Sequence, residues 1–346
     1  MSDVYRGGEP LAEVVRSNFV EGFHRGSAVV LGPDGQVRAH IGDIESPVFP
    51  RSSNKPMQSI AALRSGWNCH DDRDLALASA SHRGEPFHVA RARKILLNAG
   101  LTAVDLQTPD EYPVDPEARD AVVAAGGGPT SLLMNCSGKH AAMLATCVDA
   151  GWSTHDYLDT EHELQRANRQ AIVDLTGYDI AATGVDGCGA PLFAFPLMGL
   201  ARAFLRLVSA ESGTLERRVA DAMRAHPQFV SGTRGADTRI MRAVPGALSK
   251  GGAEGIAAIA VPGVGAVAVK IDDGAQRAAI PVSVSALRHL LAQSDPLDLA
   301  QSDPLDLAPS DPINGIDELA LTDLASWPLL GGGEPVGEVR PLWPTS

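Results

Sequence analysis

The sequence predicts an α+β fold, an α/β-type sandwich whose antiparallel sheet comes from both chain ends, with a mostly helical region between. Three observations predict it. Short apolar or alternating runs broken by Gly and Pro turns occur near residues 27–41 and again at 255–282. Between them, apolar positions recur at helical spacing in one segment after another. Strands do not alternate with helices, which argues against a doubly wound parallel sheet.

The elements follow in order. Residues 27–31 are apolar, Gly32-Pro33-Asp34-Gly35 is a turn and 36–41 alternates, so the stretch reads as a β-hairpin. A helix over 54–64 is followed by Gly66 as a C-cap signal, and one over 86–97 is closed by Gly100. Residues 79–85 end one helix and precede another. Helices over 140–148 and 164–175 stop at Gly151 and Gly177, and two more span 197–208 and 215–225. A second hairpin joins 255–261 to 266–271 through Pro262-Gly263, and the apolar run 279–282 reads as a further short strand. One unit over 1–346 is expected, with sheet-containing parts at about 15–60 and 235–341 and a helical part at about 61–234.

Composition narrows the function. The chain has 346 residues, 44% hydrophobic and 21% charged, as expected of a globular protein with a substantial core. No apolar run reaches bilayer length, and the N-terminus carries acids and no signal-peptide core, so no membrane partner and a cytoplasmic location are expected. The 29 basic against 42 acidic residues give −13, the wrong sign for a nucleic-acid binder. Four cysteines without a C-x-x-C pair read as free buried thiols. No G-x-G-x-x-G follows a strand, and Gly138-Lys139-His140 lacks the upstream glycine and the Ser/Thr of a phosphate loop. The octapeptide QSDPLDLA at 293–300 repeats at 301–308 and echoes at 309–313, which marks 293–313 as an inserted acidic surface loop.

Only five basic residues are lysines: Lys55, Lys94, Lys139, Lys250 and Lys270. Lys55 lies in the one S-x-x-K, Ser52-Ser53-Asn54-Lys55. On a helix that spacing puts both side chains on one face, and a lysine can serve as the base a serine nucleophile needs. By chance about one such sequence in three carries a stray match. Lys270 shares a strand face with Ala266 and Ala268, which fits either a snorkelling cation or a second active-site lysine. A Ser-Lys helix start with a late strand lysine resembles the layout of serine β-lactamases and penicillin-binding proteins, although Lys-Ile-Asp replaces their Lys-Thr-Gly strand. Ser81 reads either as an N-cap or as a second active-site hydroxyl. Cys136 and Cys188 sit in glycine-bearing loops, as metal-binding thiolates or as an oxidisable pair.

Taken together, RSSNKPMQ (51–58), ASHRGEPFH (80–88), NCSGKHAAML (135–144), GVDGCGAPLFAFPL (184–197), SKGGAEG (249–255), VKIDDG (269–274) and the terminal PVGEVRP (335–341) resemble the Rhizobium etli-type L-asparaginases, or asparaginase II. The resemblance implies a serine-β-lactamase-like fold, a homodimer and hydrolysis of the side-chain amide of L-asparagine. It implies catalytic Ser-Lys tandems on Ser52 with Lys55 and on Ser81 with Lys270. It further implies zinc held by Cys136, Lys139 and Cys188, and a substrate site lined by Arg51, His140 and Asp186. No organic cofactor is expected. Arg83, beside Ser81, departs from the small residue common there and is expected to narrow or recharge the pocket entrance. The rivals are a β-lactamase-like serine hydrolase using the same pair, and a non-catalytic amino-acid-binding or thiol-sensing protein.

Overall fold

A computed structural model describes residues 4–293 and 315–342. In chain order the elements are β1 (Glu9–Arg16), β2 (Phe19–Leu31), β3 (Val37–Ile41), β4 (Pro47–Val48), a 3-10 turn (Arg51–Asn54), α1 (Lys55–Arg64), α2 (Asp72–Ala78), α3 (Pro86–Asn98), α4 (Pro116–Ala124), α5 (Ser137–Ala150) and α6 (Glu163–Thr176). There follow β5 (Ala182–Val185), β6 (Pro191–Pro196), α7 (Leu197–Ser209), α8 (Leu215–Ala225), α9 (Pro227–Ser231), α10 (Ala236–Ala243), β7 (Leu248–Gly252), β8 (Ile256–Val261) and β9 (Gly265–Ile271). The last are α11 (Gln276–Ala292), α12 (Glu318–Leu324), β10 (Trp327–Gly331) and β11 (Glu334–Pro341). The fold is α+β, and the chain separates into two units.

The first unit, Met1–Ser53, Ala194–Ser209 and Arg239–Ser346, carries the large sheet in the order β10-β11-β1-β2-β9-β8-β7. The 13-residue β2 joins the two chain ends: residues 19–26 pair with β1, while 26–31 pair with β9 and 28–31 with β3. Strand β9, GAVAVKI, is buried at every position except Lys270. A strand with both faces covered reads as a continuous run of small and branched apolar residues, and α7 and α11 supply that cover on β8 and β9.

One expectation fails here. Residues 279–282 are not a strand but part of α11, with Pro281 inside it. Four apolar residues cannot distinguish the two periods. The wider set Ala278, Ala279, Val282, Ala286, Leu287 and Leu290, all buried, recurs at helical spacing and decides the matter. Pro281 removes one helical hydrogen bond, a local loss that the packing of the helix outweighs. The repeat read as an inserted loop at 293–313 lies, apart from Gln293, outside the described residues.

The second unit, Asn54–Phe193 and Ala210–Thr238, is mainly helical. Every residue of α1 from Lys55 to Leu63 is buried, and the helix packs on α5, α6 and α8. Helix α5 is buried from Ser137 to Cys147 and packs on α2 and α3. The contact with α2 requires a glycine: a Cβ on Gly138 would lie 2.5 Å from Leu77 Cγ and 2.8 Å from the Leu77 carbonyl oxygen. Among the described residues no helix is long and apolar enough to cross a membrane.

Candidate active site

In the second unit the chemistry gathers at the N-termini of α1 and α5. The 3-10 turn runs straight into α1, so Asn54 sits at the N-cap in helical conformation without a side-chain cap, and Pro56 occupies the first turn. Lys55, 1% exposed, therefore leaves a helix start. A cation there opposes the helix dipole, so its local contacts carry the cost of placing it. Its Nζ donates to the Ala80 carbonyl, to Ser81 Oγ at 3.1 Å and to Cys136 Sγ at 3.0 Å. One amine thus touches a hydroxyl, a sulfur and a backbone oxygen.

Cys136 is the N-cap residue of α5, and Lys139 and His140 follow in its first turn. Lys139 Nζ donates to Cys188 Sγ at 3.1 Å, and Cys188 lies in the tight loop closed by Gly189 N–H to Asp186 O and Asp186 N–H to Ala190 O. Cys136 and Cys188 share one buried cluster with Met134 and Ala190. Their acidities move apart. Hydrogen bonding to Cys188, with burial, raises Cys136 well above the ordinary thiol value. Cys188 is held far below it, first by the bond from Cys136, then against burial by Lys139 and His140. Burial alone would lower the Lys139 ammonium, but the two sulfurs and Asp186 raise it. The arrangement is a buried thiolate–ammonium pair. Cys69 and Cys147 are also free, and burial pushes them up to about 11 and about 12.

His140 is fully buried, and burial lowers its pKa. Its Nδ1 lies 2.8 Å from Tyr157 Oη, which itself accepts from Gln107 N–H at 3.2 Å. The Tyr157 hydroxyl can give its proton to Nδ1 or accept one from it; in the tautomer where Nδ1 accepts, the imidazole proton lies on Nε2. That Nε2–H is a buried donor without a hydrogen-bond partner of good geometry, and it interacts electrostatically with Cys188. Asp186 accepts from Gly187 N–H at 2.9 Å and lies 3.9 Å from Cys188 Sγ.

His82, to which no sequence pattern assigned a role, fixes the Ser81 loop. It is fully buried, and its Nδ1 accepts from Gly84 N–H at 3.1 Å while Nε2 lies 2.8 Å from Ser137 Oγ. Its backbone N–H donates to Asn135 O, and that of Ser81 to Val230 O. Arg83 Nε is 3.8 Å from Asp115 Oδ2, and the Arg83 side chain lies against Gly232.

Burial depresses His82 and His88 below the ordinary value of 6.5, so both are neutral in the fold. Between their folded values and 6.5 the unfolded chain binds more protons than the folded one. Stability is therefore complete above pH 6.5 and falls below it, by up to about 1.4 kcal/mol per pH unit for each histidine. Urea melts at pH 7.5, 6.5 and 5.5 test this. A midpoint that stays flat to pH 5.5 would mean that these rings take up protons without cost.

The first unit holds the other expected residues. Arg51 has φ 49°, a left-handed backbone that a non-glycine residue rarely adopts, and its Nη1 lies 3.5 Å from Glu254 Oε1. Ser52 sits in the 3-10 turn, and Gly252 leaves it room: a Cβ there would come within 2.9 Å of Ser52 N. Lys270, opposite Ser27 on β2 and Ile256 on β8, donates to Glu254 O at 2.7 Å and Ile271 O at 2.6 Å. Burial lowers its pKa, against the pull of Asp272 and Glu254. Glu254 O belongs to the β7–β8 turn, where Glu254 also has positive φ, so Lys270 braces that turn.

Ser81, Lys55, Cys136, Lys139, His140, Cys188 and Asp186 thus belong to the second unit, and Arg51, Ser52 and Lys270 to the first. The hydroxyl bonded to Lys55 within the second unit is that of Ser81.

The donors expected for zinc fit a thiophilic cation in kind: two converging sulfurs, one already a thiolate, and a lysine nitrogen beside it. Among the described residues no three His, Cys, Asp or Glu side chains form a metal-binding group, so the lysine would be the third ligand. Lys139 would first have to give up the proton it now shares with Cys188.

The sequence matches the family described as L-asparaginase II over residues 12–310. No curated protein matches it. Among solved structures, a β-lactamase from Mycobacterium bovis is similar at 15% identity, with 78% of this chain and 94% of that chain covered and a TM-score of 0.45. A Bacillus subtilis glutaminase, in covalent complex with 5-oxo-L-norleucine, is similar at 15% identity, with 78% and 87% covered and a TM-score of 0.36.

Proposed function

Because the chain belongs to the L-asparaginase II family and is an amidohydrolase, we propose that it hydrolyses the side-chain amide of L-asparagine, as a Rhizobium etli-type enzyme, through a serine acyl-enzyme. The observation that carries the mechanism is the bond from Lys55 Nζ to Ser81 Oγ. With its lone pair free, Lys55 takes the Ser81 proton as Oγ attacks the amide carbon. The C–N bond then breaks, and ammonia leaves with that proton. Water attacks the aspartyl ester, Lys55 accepts its proton, and Ser81 is released protonated. Asp186 is suited to the substrate α-ammonium, Arg51 to its α-carboxylate and the His140 Nε2–H to an acceptor oxygen. Ser52 and Lys270 complete the two tandems that the resemblance implies, Ser52 with Lys55 and Ser81 with Lys270.

Zinc would be held by Cys136, Lys139 and Cys188, and when bound it would supply a Lewis-acid anchor for a substrate oxygen. The acyl-enzyme steps run on the chain's own groups.

The test is ammonia release from asparagine, glutamine and, as control, turnover of a chromogenic cephalosporin, each with and without chelator. Release from asparagine above glutamine, with the cephalosporin untouched, is expected. Cephalosporin hydrolysis without ammonia release would overturn the reading in favour of a β-lactamase-like enzyme. Metal analysis of the purified protein, expected to show zinc that Cys188→Ser loses, tests the ligand set. Sedimentation tests the homodimer.

A further inference from the structure

We propose that His82 is a positioning residue, holding the Ser81 hydroxyl at Lys55 through a hydrogen-bond chain anchored on the start of α5; this rests on the reading that Ser81 and Lys55 form the working pair. The chain can be followed atom by atom. Gly84 N–H donates to Nδ1, so Nδ1 carries no proton and the neutral ring carries it on Nε2. Nε2–H therefore donates to Ser137 Oγ at 2.8 Å, and Ser137 Oγ passes its own proton to Leu132 O at 2.8 Å. Every donor and acceptor in this run is used once, in one direction. A protonated ring would break it, because Nδ1–H would then meet the Gly84 N–H.

The anchor matters because of what surrounds it. Ser137 is the first residue of α5 and fully buried, and it follows Cys136, whose sulfur contacts Lys55. His82 follows Ser81, whose hydroxyl contacts the same amine. The imidazole thus ties together the two chain segments that converge on Lys55. The backbone bonds from His82 N–H to Asn135 O at 2.9 Å and from Ser81 N–H to Val230 O at 3.2 Å finish the loop. The ring also stacks on His88, with centroids 5.1 Å apart. Its chemistry is that of a strut, since a buried neutral imidazole with both nitrogens engaged has no proton to exchange with substrate.

Three variants test the proposal. Gln reproduces the Nε2 donor, so His82→Gln keeps the bond to Ser137. Ser137→Ala removes the acceptor without touching the ring, and His82→Ala removes the strut. Displacing a reacting hydroxyl by about 1 Å costs about a hundredfold in rate. His82→Ala and Ser137→Ala are thus each expected to lower kcat for ammonia release by about that factor with KM within about twofold. His82→Gln is expected to restore most of kcat, and Ser137→Ala to add little in the His82→Ala background, because both remove the same bond. Wild-type kcat in Ser137→Ala protein, or no rescue by Gln, overturns the proposal.

Amide hydrogen exchange at 80–84, read on the same proteins, separates this failure from failure of the functional reading. If the wild-type protein releases no ammonia from either amide, the functional reading falls and exchange decides alone. Lost protection at 80–84 in His82→Ala and Ser137→Ala, recovered in His82→Gln, sustains the positioning role. Unchanged protection ends it.

Discussion

Replacing Ser81 by alanine is expected to lower ammonia release from asparagine by at least about a thousandfold, because removing a nucleophile leaves only the catalysis supplied by binding and oriented dipoles. The fold should survive. Lys55 Nζ keeps the Ala80 carbonyl and Cys136 Sγ as partners, and the Ser81 backbone keeps its bond to Val230 O. Ser52→Ala is the necessary comparison, since the sequence offers that hydroxyl three residues before the same lysine. With Ser81 as nucleophile, Ser52→Ala protein still accumulates a covalent adduct with an electrophilic asparagine analogue, and peptide mapping finds it on Ser81. A Ser81→Ala protein that turns over while Ser52→Ala does not would move the nucleophile to Ser52 and leave Ser81 as a proton carrier.

The contrast between these serines shows what spacing can and cannot carry. Three residues on a helix imply a shared face, so spacing alone suggests a pairing of Ser52 with Lys55. The bond from Lys55 to Ser81 spans 26 residues and depends on the loop after α2, which no local pattern encodes. The same holds for Cys136 and Cys188: each was visible as a cysteine in a glycine-bearing loop, but their shared burial with Lys139 came only with the fold. His82 escaped for a different reason. Its role lies in two ring nitrogens and their directions, and a histidine between a serine and an arginine carries no signature of either. Helix α5 was expected from 140 but begins at Ser137, because Ser137-Gly138 looks like loop until Leu77 is seen against Gly138. The hairpins and the helices α1, α3, α6 and α8 were legible because their periods are long enough to separate helix from strand. The four residues 279–282 were not. Lys250, 1% exposed on β7, was singled out only as one of five lysines and a member of a short motif, since burial of a lysine has no mark in sequence.

Lys55→Met is expected to reduce turnover by about a thousandfold or more while the protein remains folded. Methionine keeps an unbranched stem in the space around α1, so the loss is mainly of the nitrogen. That loss leaves the Ala80 carbonyl without its donor, a cost of about 1–3 kcal/mol in unfolding free energy if nothing else satisfies the oxygen. Lys55→Arg separates charge from basicity. A guanidinium keeps the positive charge but cannot surrender its proton, so an electrostatic role for Lys55 would leave the arginine variant substantially active, and a base role would leave it as inactive as Met. Lys55→Ala opens a cavity facing Ser81, into which a small primary amine can enter. Ammonia release from that variant should rise in proportion to added ethylamine, and only with its uncharged fraction as pH is raised, since a protonated amine has no lone pair to offer Oγ. Full turnover in Lys55→Met protein would remove the base from the mechanism. Rescue that follows total amine and ignores pH would show that Lys55 fills space or supplies charge and does not move the proton.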